Sequence, residues 1–178
     1  ATIGSTMSSE TSEADTVALE QPGIAELGLP ISAKVVLASM AGGLVGTVLM
    51  LPVLVGIPQA LGLFRTEPIT QFAGFAAFFG IEPTAMLGMV VFGLGGTFVL
   101  PLIFLVVGSF LPPREPRYLR GMTFATFFWT GFAPAFWPGT NALAIGVFLV
   151  VSLLAHWVYG AALGYVIHRT TGIPQHEV

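Results

Sequence analysis

The sequence contains no cysteine, which excludes disulfides, thiol catalysis, cysteine-type zinc sites and iron–sulfur clusters. Charge is scarce as well: 8% of the 178 residues are Asp, Glu, Lys or Arg, against ~25% in soluble domains. Lysine occurs once, at Lys34, and five arginines complete the cationic set. A net charge of −3 carried on so few bases argues against nucleic acid as a partner. The opening ATIGSTMSSETSEADT has neither the basic start nor the apolar run of a cleavable signal. Ala1 reads as the residue left when an initiator Met is removed.

What remains is hydrophobic, at 54% of the chain, and it is gathered into stretches long enough to cross a bilayer. The predicted fold is an all-α, polytopic membrane protein with four kinked transmembrane helices, at about residues 34–64, 84–111, 121–137 and 142–168. Pro52 and Pro58 interrupt the first span and Pro101 the second, while Pro134 loosens the end of the third. Residues 68–83 are apolar but short and bracketed by prolines, which predicts an interfacial or re-entrant segment with Phe72, Phe75 and Phe79 on one face.

Residues 1–33 form an acidic tail carrying Glu10, Glu13, Asp15, Glu20 and Glu26, and residues 169–178 a short polar one. Four crossings put both tails and the loop at 112–120 on one side of the membrane. That side carries Lys34, Arg114, Arg117, Arg120 and Arg169, and the other only Arg65. The bias predicts a multi-pass cell-membrane protein with both termini cytoplasmic.

Inside the spans there is no Asp, Glu, Lys or Arg between residues 35 and 64, 84 and 113, or 121 and 167. An autonomous proton-coupled transporter, pump or voltage sensor needs such a group. No carboxylate is present to orient a histidine, and neither MAGG (40–43) nor GLGG (93–96) is followed by the Lys-Ser/Thr of a phosphate loop. No catalytic or metal-ligating set emerges, so an enzyme is not expected.

His156 is the one histidine near the middle of a span. It is either a satisfied imidazole bonded to a backbone carbonyl or hydroxyl, or a ligand to haem b or a contact to a quinone. His156 and His168 cannot share one haem, because twelve residues of helix separate them by ~18 Å. Close-packing stripes run along Ala38, Gly42 and Gly46 on the first span, and along Ser152, Gly160 and Gly164 on the fourth. Their partners are helices of this chain or of another subunit. The third span carries Phe124, Phe128, Phe132 and Phe136 at a spacing of four. That stripe faces lipid, meets a partner's helices, or walls a hydrophobic groove.

The runs MAGGLVGTVLMLPVLV, GGTFVLPLIFLVVGSFLP, RGMTFATFFWTGFA and LLAHWVYGAALGYV together resemble a family of small four-helix haloarchaeal membrane proteins of uncharacterised function, over residues 34–168. The resemblance implies accessory subunits, without redox centres, beside the haem–copper terminal oxidases of the respiratory chain. The expectation is therefore a non-catalytic accessory subunit of such an oxidase, partnered by other integral membrane subunits and lipids. The alternatives are a homo-oligomeric channel for uncharged solutes, and a membrane subunit binding haem b or quinone through His156.

Overall fold

The computed structural model describes residues 31–174. The acidic tail as far as residue 30 and the last four residues of the polar C-terminal tail lie outside the described residues. Within them every regular element is helical. A long helix α1 (Ala33–Ala60) is followed by a short helix α2 (Glu67–Gln71) and a 3-10 turn at Gly74–Phe79. A second long helix, α3 (Ala85–Phe110), leads to α4 (Arg120–Phe132), whose last turn tightens to 3-10 at Ala133–Phe136. The chain ends in α5 (Ala142–Thr170).

Each of the three longest helices begins where a short polar side chain takes up an orphan amide. Ser32 Oγ accepts from the N–H of Val35, Thr84 Oγ1 from Leu87 and Asn141 Oδ1 from Ala144, at 3.3, 3.1 and 3.0 Å. Helix α4 has no such cap. Its first residue, Arg120, points back instead and donates to the carbonyls of Ser109, Pro113 and Arg114 at 3.4, 2.9 and 3.3 Å. Those carbonyls close the end of α3, so one buried guanidinium ties the start of α4 to the helix before it.

Two π-turns bend the bundle, at Pro52–Gly56 in α1 and Gly95–Val99 in α3. In both, a proline stands two residues beyond the turn, Pro58 and Pro101. A proline has no amide to give, and widening the preceding turn shifts the hydrogen-bond register around the gap. In α3 the N–H of Leu100 bonds the carbonyl of Gly95, five residues back. The next carbonyl, Gly96, would need an amide at position 101 and has none. The Tyr159 hydroxyl of α5 donates to it at 2.7 Å.

Glycine sets the close contacts. A Cβ on Gly42 would lie 3.1 Å from the Leu163 carbonyl oxygen, and one on Gly46 would lie 2.8 Å from that of Tyr159. Gly43 meets the Gly96 carbonyl, Gly121 the backbone of Gly160, and Gly164 that of Tyr118. Along each pairing one residue number rises as the other falls, so α1 and α4 both run antiparallel to α5, and α1 runs antiparallel to α3. Between them Phe104, Phe124, Leu163 and Ile167 are fully enclosed. The outward faces carry Leu37, Leu44, Val48, Val106 and Val150 in the open, as a lipid-facing surface requires.

Three helices, α1, α3 and α5, are long and apolar enough to cross a membrane. Four spans are expected from the sequence, and α4 at 13 residues is shorter than those three. In residues 68–83 the helix breaks at Phe72, so the shared face expected for Phe72, Phe75 and Phe79 does not persist. Phe72 packs inward on three other rings, while Phe75 and Phe79 are exposed.

Candidate functional site: an apolar cavity closed at one end

The glycines that draw α1 and α4 onto α5 sit in one half of the bundle. In the other half the facing residues are large, Met50, Leu54, Phe92, Phe128 and Phe148 among them, and the two π-turns redirect α1 and α3 there. The helices stand apart around a cavity of about 900 Å³, within the ~300–1,000 Å³ typical of small-molecule sites. Toward the packed half the lining ends at Met50, Tyr159 and Phe128, the last with its ring 4.8 Å from that of the enclosed Phe124. Its outer end is covered by residues 62–72, where Phe72 stacks on Phe136 at 4.9 Å and meets Phe92 edge-on at 5.4 Å. Along α5 the lining runs from Asn141 to Tyr159, about 27 Å at 1.5 Å per residue.

One wall is aromatic. Phe128, Phe132 and Phe136 line the cavity, and Phe124 continues the row into the packed half, 5.2 Å from Phe104. Of the roles open to this stripe from sequence, walling a hydrophobic groove is the one this lining matches; Phe132 is also 39% exposed, and Phe127 on the opposite face of α4 63%.

The polar wall belongs to α5 and is small. His156 Nδ1 lies 2.7 Å from the carbonyl oxygen of Ser152. A carbonyl only accepts, so Nδ1 carries the proton and the Nε2 of the neutral ring carries a lone pair. Ser152 Oγ donates to the Phe148 carbonyl and accepts from Trp129 Nε1 at 2.8 Å. Tyr159, one turn beyond His156, gives its proton to Gly96. On the α4 side of α5, Trp157 Nε1 donates to Thr126 Oγ1 at 2.9 Å. At the mouth stand Arg65 and Glu67, 3.7 Å apart and both exposed, with Gln71 and Asn141.

The residues singled out in the sequence are thus divided between two tasks. Gly42, Gly46, Gly160 and Gly164 pack helices of this chain on one another, and Ala38 is half-buried on the same helix as the first two. Ser152, buried on the same stripe, also accepts a hydrogen bond from Trp129 and so ties α5 to α4. His156 lines the cavity, whereas His168 lies beside Tyr118 with the rings tilted and their centroids 6.1 Å apart, in the packed half. Among the described residues no three His, Cys, Asp or Glu side chains converge on a metal position.

Tyr159, Trp129 and Phe72 are the site residues that sequence reasoning passed over. The signal for Tyr159 is its place three residues beyond His156, on the same face, with a carbonyl freed by Pro101 on a neighbouring helix. The chain matches no curated protein and no solved structure. Residues 33–178, however, match a family of unknown function, DUF6789, and the chain belongs to that family.

Proposed function

We propose that the protein is a multi-pass membrane protein that crosses the bilayer four times, keeps both termini in the cytoplasm, and holds one apolar small molecule in its cavity. The carrying observation is the pairing of an aromatic-walled space of about 900 Å³ with a single polar cluster at its inner end. That is the composition of small-molecule sites in general, mostly apolar with a few placed polar groups. The fourth crossing is supported by length. The 13 residues of α4 and the four of its 3-10 turn extend roughly 27 Å, close to the ~30 Å hydrocarbon thickness. The excess of cations at the end holding Lys34, Arg114, Arg117 and Arg169 supports the orientation, which places the cavity in the outer half of the membrane.

The enclosed residues beyond the inner end leave no lumen through a single chain, so a pore for uncharged solutes would have to form between copies. Haem b competes for the same His156 lone pair. It would need cations for its propionates, and among the lining residues the one cation is Arg65, which has Glu67 beside it. Extraction of the purified protein into organic solvent and liquid chromatography with mass spectrometry test the reading. One apolar compound is expected at about one per chain, and it is expected to be lost from Gly95→Phe. Gly95 lines the cavity and has open space where its side chain would go. Equal extracts from both proteins would refute the assignment.

A second reading, the accessory subunit of a respiratory terminal oxidase, is supported by the absence of Asp, Glu, Lys and Arg from the spans, which leaves this chain without a series of charged groups to relay protons. The glycine stripes pack on helices of this chain and do not by themselves speak for a partner. Oxidase subunits co-purifying at stoichiometric amounts would support this role, and recovery of the chain alone would end it.

A further inference from the structure

The polar end of the cavity has a one-sided hydrogen-bonding character. Four side chains there carry protons, and every one of those protons is committed to an acceptor of the protein itself. Trp129 Nε1–H goes to Ser152 Oγ, Ser152 O–H to the Phe148 carbonyl, His156 Nδ1–H to the Ser152 carbonyl, and Tyr159 O–H to the Gly96 carbonyl. The direction of the last three is forced, because a carbonyl oxygen has no proton to give, and indole nitrogen only donates. What the cluster leaves for an occupant is acceptor capacity: foremost the Nε2 lone pair of His156, and behind it the Tyr159 and Ser152 oxygens. The Thr47 hydroxyl, which has no partner, lies behind this wall at Gly96 and is not part of the cavity lining. Further side-chain donors stand away from this cluster, toward the mouth, on Arg65, Gln71, Trp137 and Asn141.

We infer that the cavity selects an apolar molecule bearing a hydroxyl group, whose O–H donates to His156 Nε2 at the inner end while its hydrocarbon part lies along Phe128, Phe132 and Phe136. The inference rests on the small-molecule reading above and narrows it. A ketone, quinone or ester carbonyl at the same place would bring a second acceptor against the first, and both would stay unpaired in an apolar site, which costs more than the missing bond alone. An alcohol and a hydroquinone share the donor, so the chemistry fits either one. It disfavours the oxidised quinone.

The test uses the full chain in detergent micelles and a matched set of pyrenyl-alkyl probes: an alcohol, its methyl ether and the corresponding ketone. Binding is read by energy transfer from tryptophan to pyrene. The alcohol is expected to bind about tenfold more tightly than the ether or the ketone, in line with one hydrogen bond plus relief of an unpaired acceptor. His156→Leu is expected to bring the alcohol to the ether's affinity and leave the ether unchanged, so the ether also reports that the variant is folded. Equal binding of alcohol, ether and ketone to the wild type would overturn the hydroxyl selection while leaving the cavity assignment intact, and it needs no variant. Failure of all three to bind would overturn both. An alkyl hydroquinone and its quinone separate the two sources. Hydroquinone binding more tightly than the alcohol would assign a reduced quinone, and equal binding would assign a simple alcohol. A preference for the quinone would contradict the inference.

Discussion

Gly160 is the position where adding a single methyl group should do the most harm. A Cβ there would sit 2.5 Å from the carbonyl carbon of Gly121 and 2.9 Å from the Cβ of Ala125. Carbon atoms rest at ~3.5 Å or more, so α4 and α5 must part by about 1 Å, and backbone cannot rotate away as a side chain can. Two hydrogen bonds straddle the same interface, Trp157 to Thr126 at 2.9 Å and Trp129 to Ser152 at 2.8 Å. Lengthened by that amount they pass the limit of ~3.5 Å and are lost. Bonds of this kind contribute ~0.6 kcal/mol each inside membranes, and overpacking adds ~1–3 kcal/mol. Gly160→Ala should therefore cost about 3 kcal/mol, roughly a hundredfold in the unfolding constant. Gly146 lies on the same helix with open space around it, so Gly146→Ala should cost nothing. Both are measured by unfolding in mixed micelles with increasing dodecyl sulfate, followed by far-UV circular dichroism. Equal stability of the two variants would refute the account of how α4 and α5 are held.

Tyr159→Phe removes the one donor that serves the carbonyl freed by Pro101, and should lower stability by ~1–3 kcal/mol in the same titration; an unchanged midpoint would mean that carbonyl has another partner. Arg120→Lys keeps the charge but loses the fork that reaches three carbonyls, and should cost ~1.5–3 kcal/mol, where retention of wild-type stability would reduce Arg120 to a surface charge. Because the chain has no cysteine of its own, single cysteines report orientation cleanly. Glu82→Cys should react with an impermeant maleimide on intact cells and Glu115→Cys only after permeabilisation, and the reverse pattern would invert the topology. Gly93→Ala, at a helical glycine outside the cavity lining with open space where a side chain would go, should raise the unfolding midpoint by up to ~1 kcal/mol; a loss of stability would place something other than open space at that position.

The helical class was legible because the spans are runs of apolar residues bounded by strong local signals. Ser32, Thr84 and Asn141 cap the long helices, and Gly62 and Gly172, with φ of +67° and +76°, stand just beyond two of them. The close contacts were legible too, since Gly42, Gly46, Gly160 and Gly164 repeat at a spacing of four. Their partners were not, because a glycine stripe packs equally well on a helix of its own chain or another's. The direction of the phenylalanine row was hidden for a related reason. Phe127 and Phe128 are neighbours of identical chemistry, and only the bonds of Trp129 and Thr126 to α5 decide which of them turns inward. The cavity itself depends on where packing fails, between the outer ends of four helices. No window of sequence reports that. His156 was visible from its isolation in the fourth span, but the direction of its protons, from which its selectivity is inferred, depends on the i−4 carbonyl of Ser152.

The central claim is an occupied cavity, and native mass spectrometry of the wild-type protein released from gentle detergent tests it most directly. The expected spectrum shows the chain carrying a single discrete mass increment at near-full occupancy, released on activation as one apolar, hydroxyl-bearing compound and missing from Gly95→Phe. A bare chain mass under the gentlest release, or a ladder of lipid adducts unchanged in Gly95→Phe, would contradict it.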